Sequence, residues 1–260
     1  MPLTADLAPY RAFIAELAAA SGPIVRGHFW NPSLAVEQKS DQTPVTEADR
    51  AAEAALRKMI NARFPQHGII AEEYGPERAD AEWVWVLDPI DGTKSFVHGV
   101  PLFGTLLGLL HQGQPVLGAI HQPVLDLLCI GDGDQTTLNG APVRVRETRT
   151  LAEATLLTTS LGKDIPLIHS EAARQRLHNA AGLVRTWGDC YGYLLVATGR
   201  ADVMGDAVAH NAWDVLPLVP IIRGAGGVIT DWAGGEVGDQ KSCLAANPRL
   251  HRLALDLLLT

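Results

Sequence analysis

Apolar positions change their spacing several times along this chain, and each change predicts an element. Leu7, Ile14 and Leu17 recur at helical spacing with alanines between them. A helix is therefore predicted from Ala5 to about Phe29, disturbed near Gly22-Pro23. A polar loop rich in Ser, Gln, Asp and Pro runs from Asn31 to Pro44. Thr46-Glu47-Ala48-Asp49 reads as a helix start, Ala52, Ala55, Leu56, Met59 and Ile60 as its apolar face, and Pro65 as its stop. The runs then become short and strand-like. Gly68 to Ala71 leads into Glu72-Glu73, and Trp83 to Leu87 leads into Asp88. Leu102 to Leu110, Pro115 to His121 and Leu125 to Ile130 follow, joined by turns. Leu138-Asn139-Gly140-Ala141 is a hairpin signal. This half predicts helices with a mainly antiparallel meander.

Further along, strands and helices alternate. Strands are predicted at Thr155 to Ser160, Leu183 to Arg185, Ala201 to Met204 and Gly227 to Thr230. Helices are predicted at Ser170 to Asn179, Tyr191 to Thr198 and Trp213 to Gly224. Such alternation suggests an α/β layer. A boundary near Arg144 to Leu151 divides the chain into 1–146 and 147–260, with the second part expected to complete a site begun in the first.

Composition narrows the function classes. The 260 residues suffice for a sizeable core, and the net charge of −8 is a poor basis for nucleic-acid binding, which needs clustered Lys and Arg. Cys129, Cys190 and Cys243 have no metal-ligand spacing, which suggests reduced thiols in a cytoplasmic protein. No signal-peptide pattern and no run long enough for a membrane helix is present, so no membrane partner is expected.

Carboxylates carry the candidate chemistry. Glu72 and Glu73 end one strand, and Asp88 and Asp91 end the next. If the strands are neighbours, these acids converge at one sheet edge, where like charges raise one another's pKa. A hard divalent cation such as Mg²⁺ removes that conflict, and the turn at Pro89 would offer the Ile90 carbonyl as another oxygen ligand. Gly92-Thr93 then opens a short helix whose amides suit an anion. The same residues would also serve as a plain turn with Asp91 as a helix cap, and spacing alone leaves both readings open. Gly131-Asp132-Gly133-Asp134 imitates a calcium loop, but the twelfth position from Asp132 is Val143 rather than Glu.

Asp88-Pro89-Ile90-Asp91-Gly92-Thr93, preceded by Trp83 and Val86, resembles the signature of the inositol monophosphatase superfamily. Ala71-Glu72-Glu73 resembles its GEE motif. Trp213-Asp214 with Gly224-Ala225-Gly226-Gly227 resembles its second signature, and the stretch from Lys39 to Asp49 matches as well. The blocks stand in the family order across nearly the whole chain. The resemblance implies an α+β fold, a layered αβαβα sandwich, and Mg²⁺-dependent hydrolysis of phosphate monoesters. It implies one metal on Glu72, Asp88 and the Ile90 carbonyl, a second on Asp88, Asp91 and Asp214, and a weaker third at Glu72 near the Lys39 to Asp41 loop. It further implies that the Gly92 and Thr93 amides hold the phosphate. The Thr93 hydroxyl, hydrogen-bonded to Asp49, would orient the attacking water with Glu72. A homodimer is the usual family assembly. On local grounds alone, Asp49 would be the N3 partner of a capping box begun by Thr46, and Asp214 a charge at a helix start.

Trp187-Gly188-Asp189-Cys190-Tyr191 and Val100-Pro101-Leu102-Phe103-Gly104-Thr105 resemble the histidinol-phosphatase branch. Inositol-hydrolysing members typically carry a Glu seven residues before the Trp-Asp aspartate, where this chain has Ala207 with Asp206 beside it. Histidinol phosphate carries an ammonium and an imidazole, so Asp91, Asp189 and Asp206 are the expected substrate contacts. An inositol-1-phosphate or sugar phosphatase is the alternative within the family. A non-catalytic metal-binding protein on the same fold is the alternative outside it.

Overall fold

The computed structural model describes residues 6–38, 44–161 and 166–260. Helix α1 (Ala8–His28) runs through Pro23 as one element, because its buried face from Phe13 to Val25 stays seated. The short strands β1 (Val36–Gln38) and β2 (Pro44–Thr46) pair antiparallel and lead into α2 (Glu47–Arg63). A seven-stranded sheet follows in spatial order β3 (Gly68–Ala71), β4 (Trp83–Asp91), β5 (Gly104–His111), β6 (Gln114–Gln122), β7 (Leu127–Gly131), β8 (Thr136–Leu138) and β9 (Ala141–Pro142), with α3 (Thr93–Val97) between β4 and β5. Only β3 and β4 pair parallel; the rest is the expected meander. Asn139 and Gly140, both at positive φ, turn β8 into β9 as the hairpin signal predicts.

The second half contributes β10 (Thr155–Leu157), α4 (Glu171–Ala180), β11 (Leu183–Arg185), α5 (Asp189–Ala197), β12 (Val203–His210), α6 (Ala212–Val215), α7 (Leu218–Gly224), β13 (Val228–Thr230), β14 (Lys241–Ala246) and α8 (Pro248–Leu259). Its five strands form a second sheet in the order β11-β10-β12-β14-β13. Two of these elements, β14 and α8, have no counterpart among the expected ones. The single helix expected from Trp213 to Gly224 is two, because the proline at 217 cannot continue α6 and instead sits at the N-terminus of α7.

Three apolar cores stack these parts into five layers. α1 and α2 bury Phe13, Leu17, Leu56 and Ile60 against Trp85, Leu87, Leu107 and Leu109 of the first sheet. α5 and α7 fill the middle, touching Leu106 and Ile120 of the first sheet and Met204 and Ala245 of the second. α4 and α8 cover the far face through Leu177, Leu250 and Ala254. The fold is the αβαβα sandwich expected, and its central layer belongs to both sheets. Gly108, Gly118 and Gly131 lie side by side across β5, β6 and β7. A Cβ on Gly118 would stand 1.9 Å from the Pro217 carbonyl oxygen, so this bare row lets the start of α7 press directly on the sheet.

Candidate active site

The register Ala71↔Leu87 between parallel β3 and β4 brings Glu72 beside Asp88. Asp88 and Asp91, three apart on one strand, would face opposite sides of a regular sheet. The pairing of β4 with β5 shifts by one residue between Asp88 and Asp91, and this bulge switches the facing of the residues beyond it. Ile90 accordingly packs with Ala48, Ala52, Phe96 and Phe103 on the α2 side. Asp91 returns to the side of Asp88. From the middle layer, α6 packs Trp213 and Leu216 on Val84 and Val86 and delivers Asp214. One carboxylate oxygen from each of Asp88, Asp91 and Asp214 lies within 4.8 Å of the other two.

One buried and two half-buried acids this close are electrostatically incompatible as bare anions. Burial first, then Glu72, Asp91, Asp214 and Asp49, holds Asp88 well above the ordinary carboxylate range. Burial, with Asp189 and Asp214, does the same to Asp91, against a hydrogen bond from the Cys190 amide. Burial raises Asp214 to about 7, opposed by the Asn211 amide at 2.7 Å and aided by Glu72 and Asp189. Burial raises Asp49 to about 6, opposed by the Thr46 amide and hydroxyl at 2.9 and 2.6 Å and aided by Glu72. An all-oxygen set of this kind fits a hard divalent cation, which is the charge the cluster lacks.

The local roles of Asp49 and Asp214 coexist with membership of the cluster. Each is the N3 residue of its helix and accepts from the N-cap amide, which fixes its side-chain direction. Glu53 is a supporting residue that the sequence analysis does not contain. It is fully buried on α2, pairs with Arg57 at 2.7 Å, and accepts from the Glu73 and Tyr74 amides at 2.7 and 3.1 Å. It thereby holds the turn that presents Glu72. Its signal was legible: Glu53, Leu56 and Ile60 share one apolar stripe, where an acid is out of place.

The Gly92-Thr93 turn departs from expectation in one bond. The Thr93 hydroxyl donates to the Ile90 carbonyl at 2.9 Å, while Asp49 is engaged by Thr46. The expected Thr93–Asp49 hydrogen bond is therefore not among those of the described residues, since a hydroxyl has one proton to give. Gly92 is at φ 90°, and a Cβ there would meet the Leu102 carbonyl oxygen at 2.9 Å and the Asp189 carboxylate at 3.1 Å. Gly92→Ala should lower kcat by about 100-fold and cost about 1–3 kcal/mol of stability. Phosphate-release kinetics beside a thermal melt check it, and a variant with near-normal turnover would show that the turn is not needed.

Asp189 is brought to the site: it opens α5, faces Gly92 and acts electrostatically on Asp91 and Asp214. Asp206 is not brought there, which corrects its expected role as a substrate contact. It is fully buried on β12, and its oxygens accept from the Thr158 hydroxyl and from the Thr159 amide and hydroxyl at 3.2, 2.6 and 2.8 Å. Ala207, the position of the inositol-type Glu, is buried in the core under α4 and α8. The Lys39 to Asp41 loop lies outside the described residues.

Comparison with known proteins agrees with this geometry. The profile of the inositol monophosphatase family matches residues 6–259. A histidinol-phosphatase from Chlorobaculum parvum is 39% identical over 91% of this chain and 92% of its own length. The bifunctional phosphatase IMPL2 of Arabidopsis thaliana, a chloroplastic protein, is 43% identical over 84% of this chain, which spans 63% of that longer protein. An inositol monophosphatase structure from Zymomonas mobilis superposes with a TM-score of 0.87 at 34% identity, covering 98% of this chain and 100% of the other. Among the described residues no helix is long and apolar enough to cross a membrane. The family profile over nearly the whole chain and these relatives establish that the chain belongs to the inositol monophosphatase family and is a phosphoric monoester hydrolase.

Proposed function

We propose that this enzyme is a Mg²⁺-dependent histidinol-phosphatase, releasing histidinol and phosphate in histidine biosynthesis. The observation that carries the substrate is the placement of Asp189 against Gly92. A carboxylate beside this turn repels the phosphate of any ester alike, and only a substrate with a cation close to the ester offsets that repulsion. In histidinol phosphate the ammonium is two carbons from the ester oxygen, so it lies close to the phosphate, on the scale of an acid placed beside the turn. The likeness to a named histidinol-phosphatase supports the same reading.

Glu72, Asp88, the Ile90 carbonyl, Asp91 and Asp214 are the residues that would hold two Mg²⁺ ions, with a third beside Glu72. The chemistry supplied by cations there is neutralisation of phosphoryl charge and acidification of water. Gly92 and Thr93 hold the phosphate through their amides. With its proton committed to the Ile90 carbonyl, the Thr93 hydroxyl presents lone pairs and accepts a hydrogen bond from the attacking water. Glu72 orients that water, and Asp49 shapes the field around it. No covalent phosphoenzyme forms. The working assembly is a homodimer.

Phosphate release from histidinol phosphate, inositol 1-phosphate and adenosine 3′,5′-bisphosphate tests the assignment, with kcat/KM expected highest for the first. A preference for inositol 1-phosphate would overturn it. Asp189→Asn should lower kcat/KM for histidinol phosphate about 10–100-fold while leaving an aryl phosphate within about threefold. Equal losses would make Asp189 structural.

A further inference from the structure

Asp189 is at φ 51°, a left-handed conformation uncommon for a residue with a side chain. Among the described residues, two backbone amides anchor this stretch. The Cys190 amide donates to Asp91, and the Asp189 amide donates to the Thr159 hydroxyl at 2.9 Å. That hydroxyl donates in turn to Asp206 Oδ2 at 2.8 Å, and the Thr159 amide donates to Asp206 Oδ1 at 2.6 Å. The directions are consistent: the hydroxyl gives its one proton to Asp206 and so has only lone pairs left for Asp189. Asp206 is fully buried, on a strand that pairs with β10, so the anchor is fixed by the second sheet. Gly188 completes the fit, since a Cβ there would stand 2.3 Å from Thr159 Cα. The buried carboxylate is thus linked to Asp189 through Thr159.

We propose that Thr159 and Asp206 are positioning residues for substrate selectivity, holding Asp189 in the left-handed conformation that points its carboxylate at the phosphate turn. The proposal rests on Asp189 recognising the substrate's ammonium, as argued above. Removal of the Thr159 hydroxyl leaves the Asp189 amide without its acceptor and the Asp206 oxygen without its donor. The backbone at Asp189 then loses one anchor of its left-handed conformation, and the carboxylate is held less firmly against the turn. Binding of a cationic ester weakens equally in ground state and transition state, so KM rises while kcat holds.

The experiment compares wild type, Thr159→Val, Thr159→Ser, Asp206→Asn and Asp189→Asn on histidinol phosphate and on p-nitrophenyl phosphate with Mg²⁺. Thr159→Val should raise KM for histidinol phosphate about tenfold with kcat within about threefold, and leave the aryl ester nearly unchanged. Thr159→Ser should restore the wild-type KM, and Asp206→Asn should repeat the shift if Thr159→Val melts too low to assay. Equal losses on both esters, or no change on either, would overturn the positioning role even where Asp189→Asn discriminates. If Asp189→Asn fails to discriminate, the ammonium reading itself falls and the selectivity role falls with it.

Discussion

Asp91→Asn is expected to lower phosphate release by about 1,000-fold or more while the protein melts no lower than wild type in the absence of metal. The two halves of this result have one cause. Asp91 is half-buried beside Asp88 and Asp214, and its carboxyl is held well above the ordinary range by desolvation and by Asp189 and Asp214. An amide of the same shape removes the charge that burial penalises and one source of repulsion in the triad. It also leaves an oxygen able to accept the Cys190 amide, so α5 stays docked. What is lost is an anionic ligand, and with it the charge balance on which metal-assisted hydrolysis depends. Kinetics with saturating Mg²⁺ and a melt in EDTA measure both halves. Turnover near the wild-type level would mean that Asp91 does not belong to the metal-holding set.

Removal of divalent cations should abolish activity and make stability fall as pH rises. The folded-state carboxyls of Asp49 and Asp214 stand at about 6 and about 7, and those of Asp88 and Asp91 are also raised. Each therefore binds protons more tightly folded than unfolded. Their stabilisation is complete below about pH 4 and is lost as pH passes through about 6 to 7. A cation acts in the opposite direction, since it binds the deprotonated cluster. At about 100 times its dissociation constant it contributes about 2.7 kcal/mol, which raises Tm by about 5–10 °C in a chain of this size. Melts from pH 5 to 8, in EDTA and in Mg²⁺, should therefore diverge with pH. Curves that stay parallel would show that the cluster does not take up the ion.

Much of the site was legible because its acids stand at element boundaries. Glu72 follows β3, Asp88 and Asp91 close β4, and Asp49 and Asp214 start helices. Patterning locates such boundaries well, and a resemblance in those same blocks names their chemistry. Contacts between elements distant in sequence were less legible. Asp206 and Asp189 are both acids near the second-half motifs, and nothing in the sequence shows that one is sealed behind Thr159 while the other faces Gly92. The in-register glycines 108, 118 and 131 are far apart in the chain and become a row only when β5, β6 and β7 pair. β14 escaped because Lys241–Ala246 lacks the β-branched residues that mark a strand, although it lies between β12 and β13. Asn247-Pro248, followed by Leu250, Ala254 and Leu258, did carry a helix-start signal for α8.

The shared central layer has a consequence for how this enzyme can change. The strand that carries Asp88, Asp91 and the phosphate turn belongs to the first sheet, whereas Asp189 and its Thr159–Asp206 support belong to the second half. Of the acidic cluster, Asp88 and Asp91 come from the first sheet and Asp214 from α6 of the second half, while Asp189, the proposed selector of the alcohol, opens α5. On the proposed reading, changes around Thr159 and Asp189 alter the alcohol that is accepted while the bulged strand stays as it is. A family that works this way can diversify its substrates without reinventing its reaction.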